Sequence, residues 1–359
     1  MSPRKTTIEP KSLGSGPETL GRKRDSTRLL DLYDSSLDNE LRPANLSDFV
    51  GQPQLKIRLT VIIEAARSRG ESVDHLLFAG PPGLGKTSLA GIVAAEIGVG
   101  LRVTSGPAIT RPGDLAALLS DLSEGNVLFI DEIHRLPKVV EELLYVAMED
   151  YKLDLMIGKG PTARSLRIDL PRFTLIGATT RSGMVSGPLR DRFGFTHRLE
   201  YYDDEELQAI VERSAQILGC AIDPRASKEI ARRSRGTPRL ANRLLRRVRD
   251  YSSVTGGEGI DLECARKGLE LFGVDALGLD RVDREILEVL CINFRGRPAG
   301  LSSLSASVRE EKDTIEDVYE PFLVRLGMVV RTPRGRVATE RAFEHLGLAV
   351  PRETQMGLE

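Results

Sequence analysis

Between Leu41 and Tyr202, short apolar runs alternate with longer stretches in which apolar residues recur every three or four positions. The runs Leu76–Ala79, Leu101–Thr104, Val127–Ile130, Phe173–Ala178 and His197–Leu199 have the length and side-chain types of buried strands. Helical periodicity falls around Leu55–Arg69, Ser88–Ile97, Pro112–Ser120 and Lys138–Met148. Alternation of this kind predicts an α/β domain on a mainly parallel sheet, which binds ligands at the carboxyl ends of its strands. Lys152–Leu170 differs. Leu153, Leu155 and Ile157 alternate with polar residues, Gly158-Lys159-Gly160-Pro161 turns, and Leu166-Arg167-Ile168 alternates again. That pattern predicts a hairpin whose apolar residues project from the domain.

After Asp203 the pattern becomes helical throughout: Asp204–Leu218, Asp223–Ser234, Arg239–Tyr251 and Leu262–Phe272, with Gly236-Thr237-Pro238 starting the third helix. A third unit follows. Helices are expected over Leu279–Phe294, Ser302–Arg309 and Asp313–Leu326. A hairpin then runs from Gly327 to Ala338 through Thr332-Pro333-Arg334-Gly335. Three helices and a hairpin make the pattern of a winged helix. The expected division is a disordered, mildly basic tail over 1–38, an α/β domain over 39–202, a small helical domain over 203–275 and a winged-helix domain over 276–359.

Composition narrows the class. The chain is 40% hydrophobic and 29% charged with a net charge of −1, as in soluble globular proteins, so any case for nucleic acid rests on local clusters. Cys220, Cys264 and Cys291 lie far apart with no close Cys or His, which argues against a zinc site or disulfide framework and for reduced thiols in a cytoplasmic protein. No apolar stretch approaches a membrane span, and Met1–Lys5 leads into no secretory signal.

The chemistry lies at strand ends. Gly80-Pro81-Pro82-Gly83-Leu84-Gly85-Lys86-Thr87 follows a predicted strand and opens a predicted helix, the context of a phosphate-binding loop. Its glycines let backbone N–H groups close around phosphate oxygens, Lys86 reaches the outer phosphates, and the Thr87 hydroxyl suits Mg²⁺. Val127–Ile130 delivers Asp131 and Glu132 to the same edge. Asp131 is placed to hold Mg²⁺ and Glu132 to polarise an attacking water. His134 suits either positioning of Glu132 or a purely structural contact. Thr180 suits either γ-phosphate sensing or a turn. Pro188–Phe193 carries Arg192, which reads as a finger for a neighbouring subunit's γ-phosphate or as a surface ion-pairing residue. Arg239, one of eight arginines from Arg232 to Arg249, is placed to reach back to the nucleotide.

In order and spacing these motifs resemble the AAA+ ATPases. Gly80–Thr87 matches Walker A, Ile130–Glu132 Walker B, Thr180 sensor 1, Arg192 the arginine finger and Arg239 sensor 2. Leu41-Arg42-Pro43, Phe49-Val50-Gly51-Gln52, Asp131–Leu136, Phe173–Arg181 and Arg331–Arg336 narrow the resemblance to the RuvB family of Holliday-junction branch-migration motors, over about Leu41 to Arg352. The resemblance implies an adenine pocket at Leu41 and Arg42. It implies phosphate contacts from Gly83, Leu84, Gly85, Lys86, Thr87 and Ser88, and further nucleotide contacts from Glu149, Asp150, Tyr151 and Tyr202. Lys312, Arg331 and Arg336 match DNA-contacting positions, with lysine at 312 where some members carry arginine, which keeps charge but not bidentate geometry.

Further implications are a homo-hexameric ring, ATP and Mg²⁺, and double-stranded DNA at a junction. The hairpin 152–170 would engage a RuvA-like junction-binding partner, and a RuvC-like resolvase is a further partner. The residues alone leave DNA binding open. Acids outnumber bases in 276–359, and a winged helix without a basic excess also serves as a protein-binding module. A protein unfoldase would be expected to carry an aromatic pore loop, and Val103–Ser120 has no aromatic residue. A nucleotide-gated regulator would have little use for Glu132.

Overall fold

The computed structural model describes residues 40–157 and 164–351. The expected basic tail, the turn at Gly158–Pro161 and the residues after Pro351 lie outside the described residues. The chain divides between Arg42 and Pro43, and every element labelled below follows that division.

The large domain runs α1 (Pro53–Arg69), β1 (Leu76–Ala79), α2 (Lys86–Ile97), β2 (Leu101–Ser105), α3 (Pro112–Ser120), β3 (Val127–Asp131), α4 (Lys138–Asp150), β4 (Lys152–Ile157), β5 (Arg164–Asp169), β6 (Thr174–Thr179), α5 (Gly187–Asp191) and β7 (Phe195–Arg198). Five strands form a sheet in the order β2-β3-β6-β1-β7, all parallel. β1, β3 and β6 are buried on both faces, which is why they read as unbroken apolar runs. Ala79 pairs with Thr179 and with Arg198, and Ser105 with Asp131, so the strands finish along one edge. At the opposite edge His75 holds the strands to α4. Its Nδ1 accepts from the Leu175 amide at 2.9 Å, so Nε2–H donates to the Met148 carbonyl at 3.1 Å. Burial depresses the His75 pKa, in keeping with that neutral ring.

Two expectations shift. The last strand begins at Phe195, not His197, because all of Phe195–Arg198 pairs with β1. It is an edge strand with alternating exposure, and Thr196 and His197 disguise it in the sequence. The hairpin forms with Leu153 opposite Ile168, but Leu153 is buried in the core and does not project, whereas Leu166 is exposed.

The lid consists of α6 (Asp204–Ile217), α7 (Pro224–Arg232), α8 (Pro238–Thr255) and α9 (Leu262–Leu271). Asp203, Asp223 and Asp261 cap three of them, each accepting from a backbone N–H in the first turn. The lid shares one continuous apolar cluster with one face of the sheet, from Phe78 and Leu89 to Leu245 and Leu269. The other face packs α3, α4 and Leu153 in a second cluster.

The head comprises α10 (Arg281–Glu288), α11 (Leu301–Val308), α12 (Lys312–Thr314), α13 (Glu320–Arg325), the hairpin β8 (Val329–Thr332) and β9 (Gly335–Ala338), and α14 (Glu340–His345). The first and third expected helices each contain a π-helical turn, Val289–Asn293 and Ile315–Tyr319. The head has its own core around Leu287, Phe322, Leu323 and Phe343.

Candidate functional site

The carboxyl edge of the sheet gathers most of the expected chemistry. After β1 the chain turns through Gly80–Gly85, with Gly83 at φ 84° and Gly85 at φ 98°, backbone that side-chain-bearing residues rarely adopt. Lys86 then opens α2, with Thr87 and Ser88 half-buried in its first turn. The Lys86 side chain is 7% exposed, and its Nζ donates to the carbonyls of Gly80 at 2.7 Å and Pro81 at 2.8 Å. Burial lowers its pKa to about 8; Asp131 and Glu132 oppose that shift and Arg239 adds to it. Two cations therefore press on each other beside a loop of backbone donors, which is the electrostatics of an anion cradle.

β3 ends at Asp131, and Glu132 sits in the left-handed region at φ 49°. Asp131 Oδ1 accepts from the Glu132 amide at 2.9 Å, and Glu132 Oε2 pairs with Arg135 Nη1 at 3.2 Å. The turn carries His134 to β6, where its Nδ1 lies 2.9 Å from the Thr179 hydroxyl. Thr179 also accepts from the Arg181 amide at 3.0 Å. Thr179 is buried, whereas Thr180 is half-buried and lines an open cleft. That cleft, about 450 Å³, lies between Gly80–Pro82, Thr180, Arg181 and Arg198 of the large domain and Glu316, Asp317 and Arg331 of the head.

The lid closes on the phosphate loop from above. The Arg239 amide donates to the Gly83 carbonyl at 3.3 Å, and a Cβ at Gly83 would come within 3.1 Å of Arg239 Cβ. Tyr202, buried at the start of the lid, donates its hydroxyl to the Leu84 carbonyl at 3.3 Å, and burial pushes its phenol pKa up. Lys86, Asp131, Glu132 and Arg239 thus act on one another within a single protomer, and Tyr202 holds the loop that leads to Lys86.

Other expected site residues lie elsewhere. Glu149, Asp150 and Tyr151 end α4 beside Met148, at the amino edge of the sheet, so the fold does not bring them to Gly80–Thr87 of the same protomer. Arg192 follows α5 and lies with them: Nη2 pairs with Glu149 at 3.1 Å, Nη1 donates to the Pro188 carbonyl at 2.8 Å, and the guanidinium stacks 4.8 Å over the Tyr145 ring. Leu41 is buried and Arg42 exposed, both before the division at Pro43. In the head, Lys312 is exposed, whereas Arg331 and Arg336 both pair with buried Glu320, Arg336 at 3.0 Å. Those two wing cations are therefore engaged within the head. Sequence reasoning gave no role to Thr179, Arg135 or Arg181. Each is unremarkable by type, and only the strand register and the turn after Glu132 bring them to the site.

Three family models match in succession between residues 41 and 347: the Holliday junction DNA helicase RuvB P-loop domain at residues 41–199, the RuvB AAA lid domain at 202–275 and the RuvB C-terminal winged helix domain at 276–347. The chain belongs to the RuvB family. It is an AAA+ P-loop ATPase with a lid and a winged helix. Among RuvB relatives, the branch migration complex subunit RuvB of Nocardia farcinica is 57% identical over 90% of this chain and 91% of its own. That of Mycolicibacterium gilvum is 54% identical over 95% of each chain. The solved structure of the Thermotoga maritima RuvB Holliday junction branch migration motor superposes with a TM-score of 0.80 at 48% identity, covering 87% of this chain and all of that one.

The RuvB P-loop domain binds nucleotide, and the buried Lys86 beside Asp131 fits that ligand. Among the described residues no group of three or more His, Cys, Asp or Glu could by itself hold a metal ion. A metal here would be shared between few protein oxygens and the nucleotide phosphates, the usual Mg²⁺ arrangement. Among the described residues, no helix is long and apolar enough to cross a membrane.

Proposed function

We propose that this RuvB-family chain is an ATP-driven ring motor that translocates on double-stranded DNA and drives Holliday-junction branch migration in recombination and repair. The observation that carries the reading is the meeting of Lys86, Asp131, Glu132 and Arg239 at one sheet edge, in a chain that also holds a winged helix against that edge.

Glu132 takes the proton of the attacking water. Its backbone sits in the left-handed region just past the strand, and Arg135 restrains its carboxylate until substrate enters. Lys86 and the loop amides hold the β- and γ-phosphates. Thr87 and Asp131 would hold Mg²⁺, which when bound withdraws charge from the phosphate oxygens. Thr180 faces the cleft beside Gly80 and senses the γ-phosphate, while Arg239 ties the lid angle to the occupancy of the loop.

Arg192 supplies its charge to the nucleotide of the next protomer in a homo-hexameric ring. Its place at the far edge, with Glu149, Asp150 and Tyr151, supports a contact made between subunits. The Leu41–Arg42 segment takes the adenine. Lys312, Arg331 and Arg336 meet the DNA backbone, the two wing arginines exchanging Glu320 for phosphate. The hairpin 152–170 engages a RuvA-like junction-binding protein, with a RuvC-like resolvase as a further partner, in the cytoplasm.

A fork- and junction-unwinding assay with ATP, with and without the junction-binding partner, tests the reading beside Lys86→Ala and Glu132→Gln. Branch migration by the unmodified chain is expected, and Glu132→Gln should bind ATP yet turn it over about 10²- to 10⁴-fold more slowly. Unimpaired junction unwinding in Glu132→Gln would remove the motor reading.

A further inference from the structure

The third helical run of the head carries Asp313, Glu316, Asp317 and Glu320, spaced so that all four share one side. Carboxylates three and four apart repel one another, so this ridge needs cations. It takes them from two places. On the head itself, Arg336 reaches Glu320 at 3.0 Å and Glu316 at 3.5 Å. From the large domain, Arg181 reaches Asp317 at 2.9 Å, and Glu316 and Asp313 at 3.3 Å each. Glu316 is the shared member, its carboxylate lying between the large domain's arginine and the wing's.

Arg181 is no ordinary surface cation. It follows Thr179 and Thr180 at the end of β6, and its amide is fixed to the Thr179 hydroxyl that meets His134. His134 lies two residues beyond Glu132. A continuous series of contacts therefore runs from the Glu132 turn through His134, Thr179, Arg181 and Glu316 to Arg336 in the wing.

We propose that Arg181 is a positioning residue that passes the state of the catalytic edge to the DNA-contacting wing by holding or releasing Glu316 and Asp317. When Arg181 holds the ridge, Glu316 is shared, and Glu320 is the only carboxylate of the ridge that Arg336 does not share with Arg181. When the end of β6 moves, the ridge loses its outer cation and draws Arg336 and Arg331 more tightly, away from DNA phosphate. The proposal rests on the motor reading above. It assigns a role to a residue to which the motor reading gives none.

The test uses the full chain in its assembled form with linear duplex DNA. Two ratios are read for the unmodified chain and for Arg181→Ala, Asp317→Ala and the charge-swapped pair Arg181→Asp with Asp317→Arg. The first is ATP turnover with duplex over turnover without it. The second is duplex affinity with a non-hydrolysable ATP analogue over affinity without it. Each single variant is expected to lower both ratios at least about fivefold, the lower end of usual coupling between sites, and the swapped pair to recover most of the loss. Melting temperature and nucleotide affinity are measured alongside. A merely structural tie would lower melting and turnover while leaving the ratios unchanged, and that result would overturn the proposal, as would a swapped pair no better than Arg181→Ala. If the unmodified chain itself shows neither ratio above one, the motor reading fails and the proposal with it. If it shows both and Arg181→Ala keeps them, the proposal alone fails.

Discussion

Leu244, Leu245 and Val248 of the lid are buried in the same apolar cluster as Phe78 and Leu89 of the large domain. The head instead buries Leu287, Phe322 and Leu323 within itself and reaches the rest of the chain largely through arginines. Arg181 holds the acidic ridge, Arg235 pairs with Asp280 at 2.8 Å and Asp283 at 2.6 Å, and Arg325 stacks 4.1 Å over the Tyr201 ring. Apolar contact resists separation in proportion to the area that water would reach, so the lid stays seated on the large domain even as its angle adjusts. The partly exposed ion pairs of Arg181 and the cation–π contact are each worth far less, and water or a phosphate can replace them, whereas the buried Arg235–Asp283 pair ties the head at one firmer point. One joint keeps its two parts together, and the other can exchange most of its contacts.

Cutting into the cores should make the largest difference between the two joints. Leu245→Ala and Leu323→Ala each remove a fully buried side chain and should each cost about 2–5 kcal/mol. The first is expected to lower a melting transition common to lid and large domain, with loss of ATP binding; the second should melt the head while the rest still binds ATP. Calorimetry with an ATP-binding assay separates these outcomes, and a single shared transition in both variants would abolish the distinction.

A smaller effect is expected at the lid's polar contact. Arg239→Ala should leave melting nearly unchanged but slow hydrolysis on the order of 10²–10³-fold, the usual loss for one charge-stabilising donor. At the head joint, Arg325→Ala should cost only about 0.5–2 kcal/mol. It should show as increased proteolysis between lid and head, with ATP turnover in the absence of DNA preserved.

The smallest effect is one of pH. Asp283 is fully buried, and burial raises its pKa to about 7 against the pull of Arg235. Between about pH 4 and 7 the folded head holds a proton there that the unfolded chain has released, so this group's contribution to stability is present below that window and lost as pH rises through it. Asp280 titrates below its ordinary value and so outside the window: burial pushes it up, but Arg235 and backbone N–H groups outweigh that. Head melting should therefore decline from about pH 5 to about pH 8, and Asp283→Asn should flatten the slope. An equal slope in the variant would assign the dependence to other groups.

Much of this architecture is legible in the chain because its signals are local. The buried strands read as apolar runs, the phosphate loop is contiguous, and Asp131-Glu132 closes a strand. What escapes sequence reading depends on tertiary register. Thr179 and Thr180 are adjacent hydroxyls, and only the position of β6 among its neighbours decides which enters the interior. Arg181 and Asp317 are 136 residues apart, single charges with no periodicity to join them. Glu149 and Arg192 stand close in the fold, but nothing in the spacing of the two segments says so. The wing's Arg-Thr-Pro-Arg-Gly-Arg looks like a free basic strip until the buried Glu320 is seen to claim two of its three arginines.

The hydrogen bond from the Glu132 amide to Asp131 Oδ1 has a bearing on how these acids are dissected. One oxygen of Asp131 is occupied in shaping the peptide that presents Glu132, so changing the first acid re-aims the second. Kinetic losses from altering each alone will not sum in the double variant, and under the roles proposed above Asp131→Ala will mimic a defect in proton abstraction by Glu132. The pair behaves as one hinged tool, and a partition of rate between them has no separate meaning.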